Sequence, residues 1–350
     1  MQKDRYKLTQ DILKKVAEID EFKGAWMKLK LLHSHILPQL EWVALLQSSA
    51  SSTRIEGSEM SDKDVEDFLQ GLNIQKFRDC DKQEVQGYKE LLETVCANYE
   101  TTPFTENTIK GFHKILLQYS QKDERHLGEY KKHPNTVVAF DANGKQLGII
   151  FKTTEPYLTP KEIQELLERT GAWIRGEDKH RLLIIAEFIV DFLSIHPFQD
   201  GNGRLSRILT NFLLLQHGYE FVRFSSLESV IESNKRLYYL ALRRSQKDRG
   251  KKNETIEPWI NFFLDVLVTM TRTLKLKVED KGISIQISER EQKVLEYVNK
   301  HQRVTSTDVM NKYSIGQRAA SKILLQMVEK KLLIRQGKGK RDAFYTLNII

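Results

Sequence analysis

The sequence predicts a mainly α-helical protein with one isolated β-hairpin and a small C-terminal unit ordered helix, helix, helix, hairpin. Three observations carry this. Apolar residues recur at helical spacing through most of the chain, as in Leu29, Leu32, Ile36, Leu40 and Val43. A single strand-turn-strand pattern breaks in between Thr136 and Lys152. Basic residues collect at the end: from Ser288 to Ile350 there are 13 Lys+Arg against 6 Asp+Glu, which is +7 of the whole chain's +8.

The helical pattern covers residues from about 3 to 118. Ser61 with Asp64 has the spacing of a capping box ahead of Val65, Phe68 and Leu69, so a helix starts there and the Ser-rich run before it reads as a turn. Thr-Val-Val-Ala-Phe140 and Leu147-Gly-Ile-Ile-Phe-Lys are β-type runs around an Asn143-Gly144 turn. A lone hairpin is barely stable in water, so it rests on the helical body or waits for a partner strand. Helices follow over Pro160 to Arg175, His180 to Leu193 and Gly203 to His217, the last ended by Gly218. After a polar link at 245–257, Trp259 to Leu276 is one more amphipathic helix, and 277–287 is a linker. Short helices are predicted at Ser288 to Lys300, opened by Ser288 with Glu291, at Thr305 to Tyr313 and at Gly316 to Lys330; strands at Leu332 to Gln336 and Ala343 to Leu347 close the chain.

Composition excludes several classes. With 350 residues, 40% hydrophobic and 29% charged, the chain can bury more than one core and has no compositional mark of disorder. The N-terminus lacks the apolar run of a secretory signal. The most apolar stretch, Leu182 to Leu193, is interrupted by Glu187 and Asp191 and is too short to cross a bilayer, so it reads as a buried helix and no membrane role is expected. Cys80 and Cys96 have neither the number nor the spacing of a disulfide framework or zinc site, and a reducing cytoplasm is the expected location.

The segment Ile195-His-Pro-Phe-Gln-Asp-Gly-Asn-Gly-Arg-Leu-Ser-Arg207 joins two apolar helices through a glycine-rich loop. Running into a helix N-terminus, such a loop can turn its amides inward and make an anion site suited to phosphate. Arg204 and Arg207 lie one turn apart and can serve two phosphates. Asp200 offers a hard oxygen for Mg²⁺. His196 offers an imidazole able to take a proton from an attacking hydroxyl.

This stretch resembles the Fic family, whose motif His-x-Phe-x-Asp/Glu-Gly-Asn-Gly-Arg-x-x-Arg is matched from His196 to Arg207 without a departure. The resemblance implies a Fic-type helical bundle with a hairpin flap, and protein adenylyltransferase activity: AMP moves from ATP to a Ser, Thr or Tyr hydroxyl of a target protein, this chain itself included, and pyrophosphate leaves. By the same resemblance His196 is the general base, Asp200 holds Mg²⁺, Gly201, Asn202 and Gly203 cradle the phosphates, and Arg204 and Arg207 take the β- and γ-phosphates. Phe198 is expected to anchor the loop in the core. The hairpin at Thr136 to Lys152 stands where the family's flap pairs with a target strand. Gly128-Glu-Tyr-Lys131 is similar to the family's Gly-x-Tyr-Arg, with Lys131 for the usual arginine. Tyr238-Tyr239 resembles the helix that borders the adenine, and is equally readable as a core helix.

A second signature lies upstream. Ser52-Thr-Arg-Ile-Glu56-Gly57 resembles the inhibitory helix of Fic enzymes that carry it N-terminal to the catalytic core. In that reading Glu56 pairs with Arg207 and spoils the γ-phosphate pose, and such a carboxylate could also orient water for de-AMPylation. The implied organisation is 1–105 as an N-terminal helical region with the inhibitory helix at about 45–60, then 106–276 as the Fic catalytic domain, 277–287 as linker and 288–350 as a winged helix-turn-helix domain. In the last, Arg318, Ser321 and Lys322 would face a DNA groove, and Lys338, Lys340 and Arg341 phosphates. Winged helices also serve in dimerisation or protein docking, so DNA contact and a homodimer both stay open. Transfer of UMP, phosphocholine or phosphate, and a DNA-binding regulator that keeps the Fic fold as a nucleotide sensor, are the alternatives.

Overall fold

The computed structural model describes residues 5–32, 36–71, 79–120, 125–140, 146–176, 178–281, 288–330, 332–337, 339 and 343–347. The order of elements begins α1 (Gln10–Leu32), α2 (Leu37–Ile55), α3 (Asp62–Leu69), α4 (Asp79–Asn98), α5 (Glu106–Leu117), β1 (Thr136–Phe140), β2 (Gln146–Lys152), α6 (Thr159–Arg175), α7 (Arg181–Ile195) and α8 (Asn202–Gln216). It continues with α9 (Leu227–Ser233), α10 (Lys235–Gln246), α11 (Glu257–Lys281), α12 (Glu289–His301), α13 (Ser306–Tyr313), α14 (Gln317–Glu329), β3 (Leu333–Gln336) and β4 (Phe344–Leu347).

α7 is the axis of the main core. Every residue from Leu182 to Ile195 is buried, as expected of a helix that is apolar all round. α6, α8, α10 and α11 pack against it. Its two carboxylates are matched by cations from other elements: Arg5 donates to both oxygens of Asp191 at 2.7 and 2.8 Å and to Glu187 at 3.2 Å. Arg169 pairs with Asp191 and Lys179 with Glu187. The charges that interrupt the apolar run therefore tie α7 to the N-terminal segment and to α6. No helix among the described residues is long and apolar enough to cross a membrane.

α2 serves three clusters at once. Ile36, Leu40 and Ile55 enter the main core. Trp42 and Leu46 join Val294, Leu295, Val298, Leu324 and Leu347 of the C-terminal unit in a second. Ala50 packs with Met60, Val65 and Val85 in a third. The Ser-rich run expected as a turn lies inside this helix. Its hydroxyls find partners on their own helix or on packed neighbours, Ser49 donating to the Leu45 carbonyl at 2.9 Å and Ser48 to Ser226 at 3.0 Å, and burial overrides their local preference for turns. The capping boxes at Ser61/Asp64 and Ser288/Glu291 are both formed.

β1 and β2 pair antiparallel with two irregularities in register; their Asn143-Gly144 turn lies outside the described residues. The sequence placed the end of the helix after Trp259 at Leu276, but α11 runs on to Lys281, because Val278 is fully buried and holds a further turn in the core. The last elements stand in the expected order, and Val304 bridges Tyr345 beside the β3/β4 hairpin. Arg318 and Lys322 are exposed on α14 and Ser321 is half-buried, while Lys338, Lys340 and Arg341 lie outside the described residues.

Arg5→Ala should destabilise the fold by about 2 kcal/mol, since it leaves two buried carboxylates short of a partner. Lys161→Ala, which removes an exposed pair with Glu165, should change stability by less than about 0.5 kcal/mol. Urea unfolding of the two variants checks the contrast.

Candidate active site

Pro197 cannot continue a helix and disfavours helical geometry in the residue before it, so α7 ends at His196. His196 takes left-handed backbone angles, φ 54° and ψ 63°, with its amide still bonded to the Phe192 carbonyl at 2.8 Å. Its Nδ1 lies 3.3 Å from the Leu193 carbonyl. A carbonyl only accepts, so Nδ1 carries the proton and Nε2 keeps its lone pair. Burial pushes the imidazole down to about 4, leaving it neutral and basic at Nε2 near pH 7.

The loop that follows is braced from within. Asn202 accepts from the Phe198 amide at 2.9 Å and donates to its carbonyl at 2.8 Å. Phe198 is fully buried, as expected, and stacks on His113 with ring centres 3.9 Å apart. The Gly128 amide donates to His113 Nδ1 at 2.9 Å, so Nε2 bears the proton and donates to the Asp200 carbonyl at 3.1 Å. Asn135 donates to the Phe198 carbonyl. Lys131, 3% exposed, donates to Asn135, to Thr153 and to the Ile195 carbonyl at the end of α7. It is thus a point donor at the base of the hairpin, and burial lowers its ammonium to about 8. His113 and Asn135 were not legible as site residues. Each stands alone in its segment, and only the fold brings them to the loop.

Gly201, at φ 77°, makes the turn into α8 and offers no side-chain cap, so the first amides of that helix stay available to an anion. Asp200 Oδ1 accepts from the Gly201 amide at 2.6 Å, and Oδ2 faces Arg204 at 3.4 Å. Arg204 is 2% exposed and also faces Glu84 of α4 at 3.2 Å, a partner that spacing did not announce. That ion pair engages Nη1, while Nε makes no hydrogen bond. Arg207 is equally buried: Nε donates to Ser52 Oγ at 2.9 Å, and Nη2 donates to the Ser52 carbonyl at 3.0 Å and to Glu56 Oε1 at 2.8 Å. Its Nη1 is unpartnered. The Glu56 carboxylate sits directly over Gly203, where an added Cβ would lie 2.4 Å from Oε1. Gly57, at φ 109°, ends the helix just beyond it.

These features fit a polyphosphate. Buried guanidinium nitrogens without partners, free amides at a helix start and a glycine floor on which a carboxylate already rests are what an anion requires. Asp200 with such an anion fits Mg²⁺, which is commonly held by one or two carboxylates plus substrate phosphates. Of the tyrosines, Tyr238 is 3% exposed and packs against Trp259 and Phe262, while Tyr239 is half-buried with its hydroxyl 3.4 Å from the Ile55 carbonyl. The core reading therefore describes Tyr238, and Tyr239 adjoins the end of α2.

Residues 103–214 match the Fic/DOC family. The chain is 33% identical over 142 residues to a probable protein adenylyltransferase of Aquifex aeolicus, covering 37% of this chain and 42% of that one. It is 32% identical over 76 residues to a Fido domain-containing protein of Dictyostelium discoideum, 21% of this chain and 53% of that one. The chain thus spans about half or less of these curated relatives' length. A Fic family protein from Desulfovibrio desulfuricans shares the fold with a TM-score of 0.66 at 20% identity, over 99% of this chain and 98% of that one. A Fic domain-containing signalling protein from Bacteroides thetaiotaomicron gives 0.61 at 24% identity, over 77% and 99%.

The neutral imidazole has a direct check. In the folded chain the ¹⁵N signals of His196 should titrate near pH 4. Because the unfolded histidine binds its proton at about 6.5, this residue should progressively cost the fold stability as pH falls from that value towards 4. A midpoint near 6.5 in the folded chain would contradict the burial account.

Proposed function

We propose, for a chain whose residues 103–214 belong to the Fic/DOC family, that it is a protein adenylyltransferase held back by its own Glu56. In this reading ATP places its phosphates at the start of α8, where Gly201 makes the turn and the amides of Asn202 and Gly203 face them. Arg204 and Arg207 turn their unpartnered nitrogens to the β- and γ-phosphates. Asp200 would hold Mg²⁺, which neutralises phosphate charge. His196 Nε2 takes the proton of a Ser, Thr or Tyr hydroxyl on the target. The hydroxyl oxygen bonds to the α-phosphorus as the bond to the pyrophosphate oxygen breaks. Charge stabilisation and alignment suffice for such a transfer, and no covalent enzyme intermediate is needed.

The single observation that carries the reading is the Glu56 carboxylate seated on Gly203 and bonded to Arg207. It stands where a γ-phosphate would need the same arginine, so ATP can take a productive pose only once it withdraws. The β1/β2 hairpin, ahead of the loop and anchored through Lys131, supplies edge strands for a target segment.

With ATP labelled in its α-phosphate, Glu56→Gly should raise transfer to protein at least tenfold, since it removes a charge-assisted contact. Adding His196→Ala to that variant should abolish it. Equal labelling by all forms would sink the reading. Competition by unlabelled UTP or CDP-choline that outdoes ATP would replace the donor and keep the chemistry.

A second reading concerns 288–350, whose order of elements supports a winged helix and whose exposed Arg318 and Lys322 on α14 support contact with DNA phosphates. Random duplex DNA titrated into the full chain should bind more weakly at higher salt. Arg318→Glu with Lys322→Glu should weaken that binding at least tenfold. Salt-independent binding, or none, would leave protein docking as the role of this face.

A further inference from the structure

Behind the candidate site lies a buried carboxylate that the proposed chemistry does not use. Glu228, in the first turn of α9, is fully buried. Its neighbours are all donors: Tyr88 of α4 gives its phenol proton to Oε1 at 2.7 Å, Asn211 of α8 donates to Oε1 at 2.8 Å, and Ser226 donates to Oε2 at 3.2 Å. Ser48 of α2 in turn donates to Ser226 at 3.0 Å. A carboxylate wholly removed from water is destabilising unless hydrogen bonds and an opposite charge offset it. None of these neighbours is a cation.

The cation is one step further on. The Tyr88 phenol feels the charge of Arg207 and lies beside the Ser52 hydroxyl, the same hydroxyl that accepts from Arg207 Nε at 2.9 Å. Burial and Glu228 hold the phenol well above its ordinary pKa, so it stays a donor to Glu228, with the Ser52 hydroxyl as its other polar neighbour. Glu228, Tyr88, Ser52 and Arg207 thus follow one another from the buried carboxylate to the guanidinium, with a hydrogen bond at each end of the row and the Tyr88 phenol beside Ser52 in its middle. Asn211 closes a second link, since its amide also donates to the Arg207 carbonyl at 3.3 Å.

We infer that Glu228 is a positioning residue, which through Tyr88 and Ser52 holds Arg207 aimed at the terminal phosphate of ATP whether or not Glu56 is in place. The inference rests on the adenylyltransferase reading of the same loop. Glu56 engages only Nη2, and Ser52 engages Nε and Nη2 from the other side. Withdrawal of Glu56 therefore leaves Arg207 with its Ser52 bonds intact and with Nη1 free for phosphate. The ready state is built before the nucleotide arrives.

The test uses full-length chain carrying Glu56→Gly, with Mg²⁺ and either ATP or ADP titrated by calorimetry. ATP presents a terminal phosphate to Arg207 that ADP lacks. Tyr88→Phe or Glu228→Gln in that background should weaken ATP about tenfold, as expected from partial loss of a charge-assisted bond, and leave ADP within about twofold. A residue with only a structural role would weaken both nucleotides together or neither, and either result overturns the inference. Tyr88→Phe removes one oxygen and keeps the question answerable should Glu228→Gln fail to fold, as thermal melts would show. If Glu56→Gly alone binds neither nucleotide, the adenylyltransferase reading fails first and takes the inference with it. If it binds ATP and the ATP preference survives in Tyr88→Phe, the inference alone falls.

Discussion

The interaction on which the structure depends is the burial of one positive charge. Arg207 lies in the first turns of α8 with almost no solvent contact, and its guanidinium must be met by acceptors from elsewhere in the chain. Ser52 and Glu56 supply them from 155 and 151 residues earlier in the chain. That requirement fixes how α2 crosses α8. Once α2 is set, its remaining faces determine where the C-terminal unit and the α3/α4 pair can pack. One side chain at the candidate site thus organises contacts across most of the described chain.

The loop between α7 and α8 shows the complementary principle, rigidity by redundant bracing. A left-handed non-glycine residue such as His196 costs of order 1 kcal/mol or more and persists only where its surroundings over-determine it. Here Pro197 ends the helix, Asn202 clamps Phe198, His113 holds the Asp200 carbonyl, and Lys131 holds the Ile195 carbonyl. The imidazole, the carboxylate and the helix start are consequently placed before any ligand binds. Preorganisation of this kind is what catalysis by alignment and charge requires.

Much of this was legible in the sequence. The segment from His196 to Arg207 announces itself because an imidazole, a carboxylate, glycines and arginines are contiguous, and Ser61/Asp64 and Ser288/Glu291 mark helix starts by purely local chemistry. The pairing of Glu56 with Arg207 was foreseen through the family resemblance. What escaped was non-local. Serines 48, 49, 51 and 52 look like a turn until tertiary burial turns their hydroxyls onto the helix or onto Ser226 and Arg207. His113, Asn135 and Glu84 sit in unremarkable segments and acquire a role only when the chain folds beside the loop. Tyr238 offered a base-stacking face and a core face with equal weight, and in the structure it packs against Trp259 while its phenol adjoins Arg207.

The threefold embedding of α2 has a consequence for motion. A helix with Leu40 in one core, Trp42 and Leu46 in another and Ala50 in a third cannot slide or tilt as a rod without opening all three at once. Taking Glu56 off Gly203 must therefore be a matter of the chain just past Ile55: a rotamer change of Glu56, or a local shift at Gly57, beside which there is open space for a side chain. Helix ends fray at little free-energy cost and on fast timescales, whereas unpacking a core is as rare as unfolding. Under the proposed adenylyltransferase reading, the carboxylate is then a quickly exchanging competitor tethered beside its site, whose grip is set by its local concentration and not by any large rearrangement of the protein.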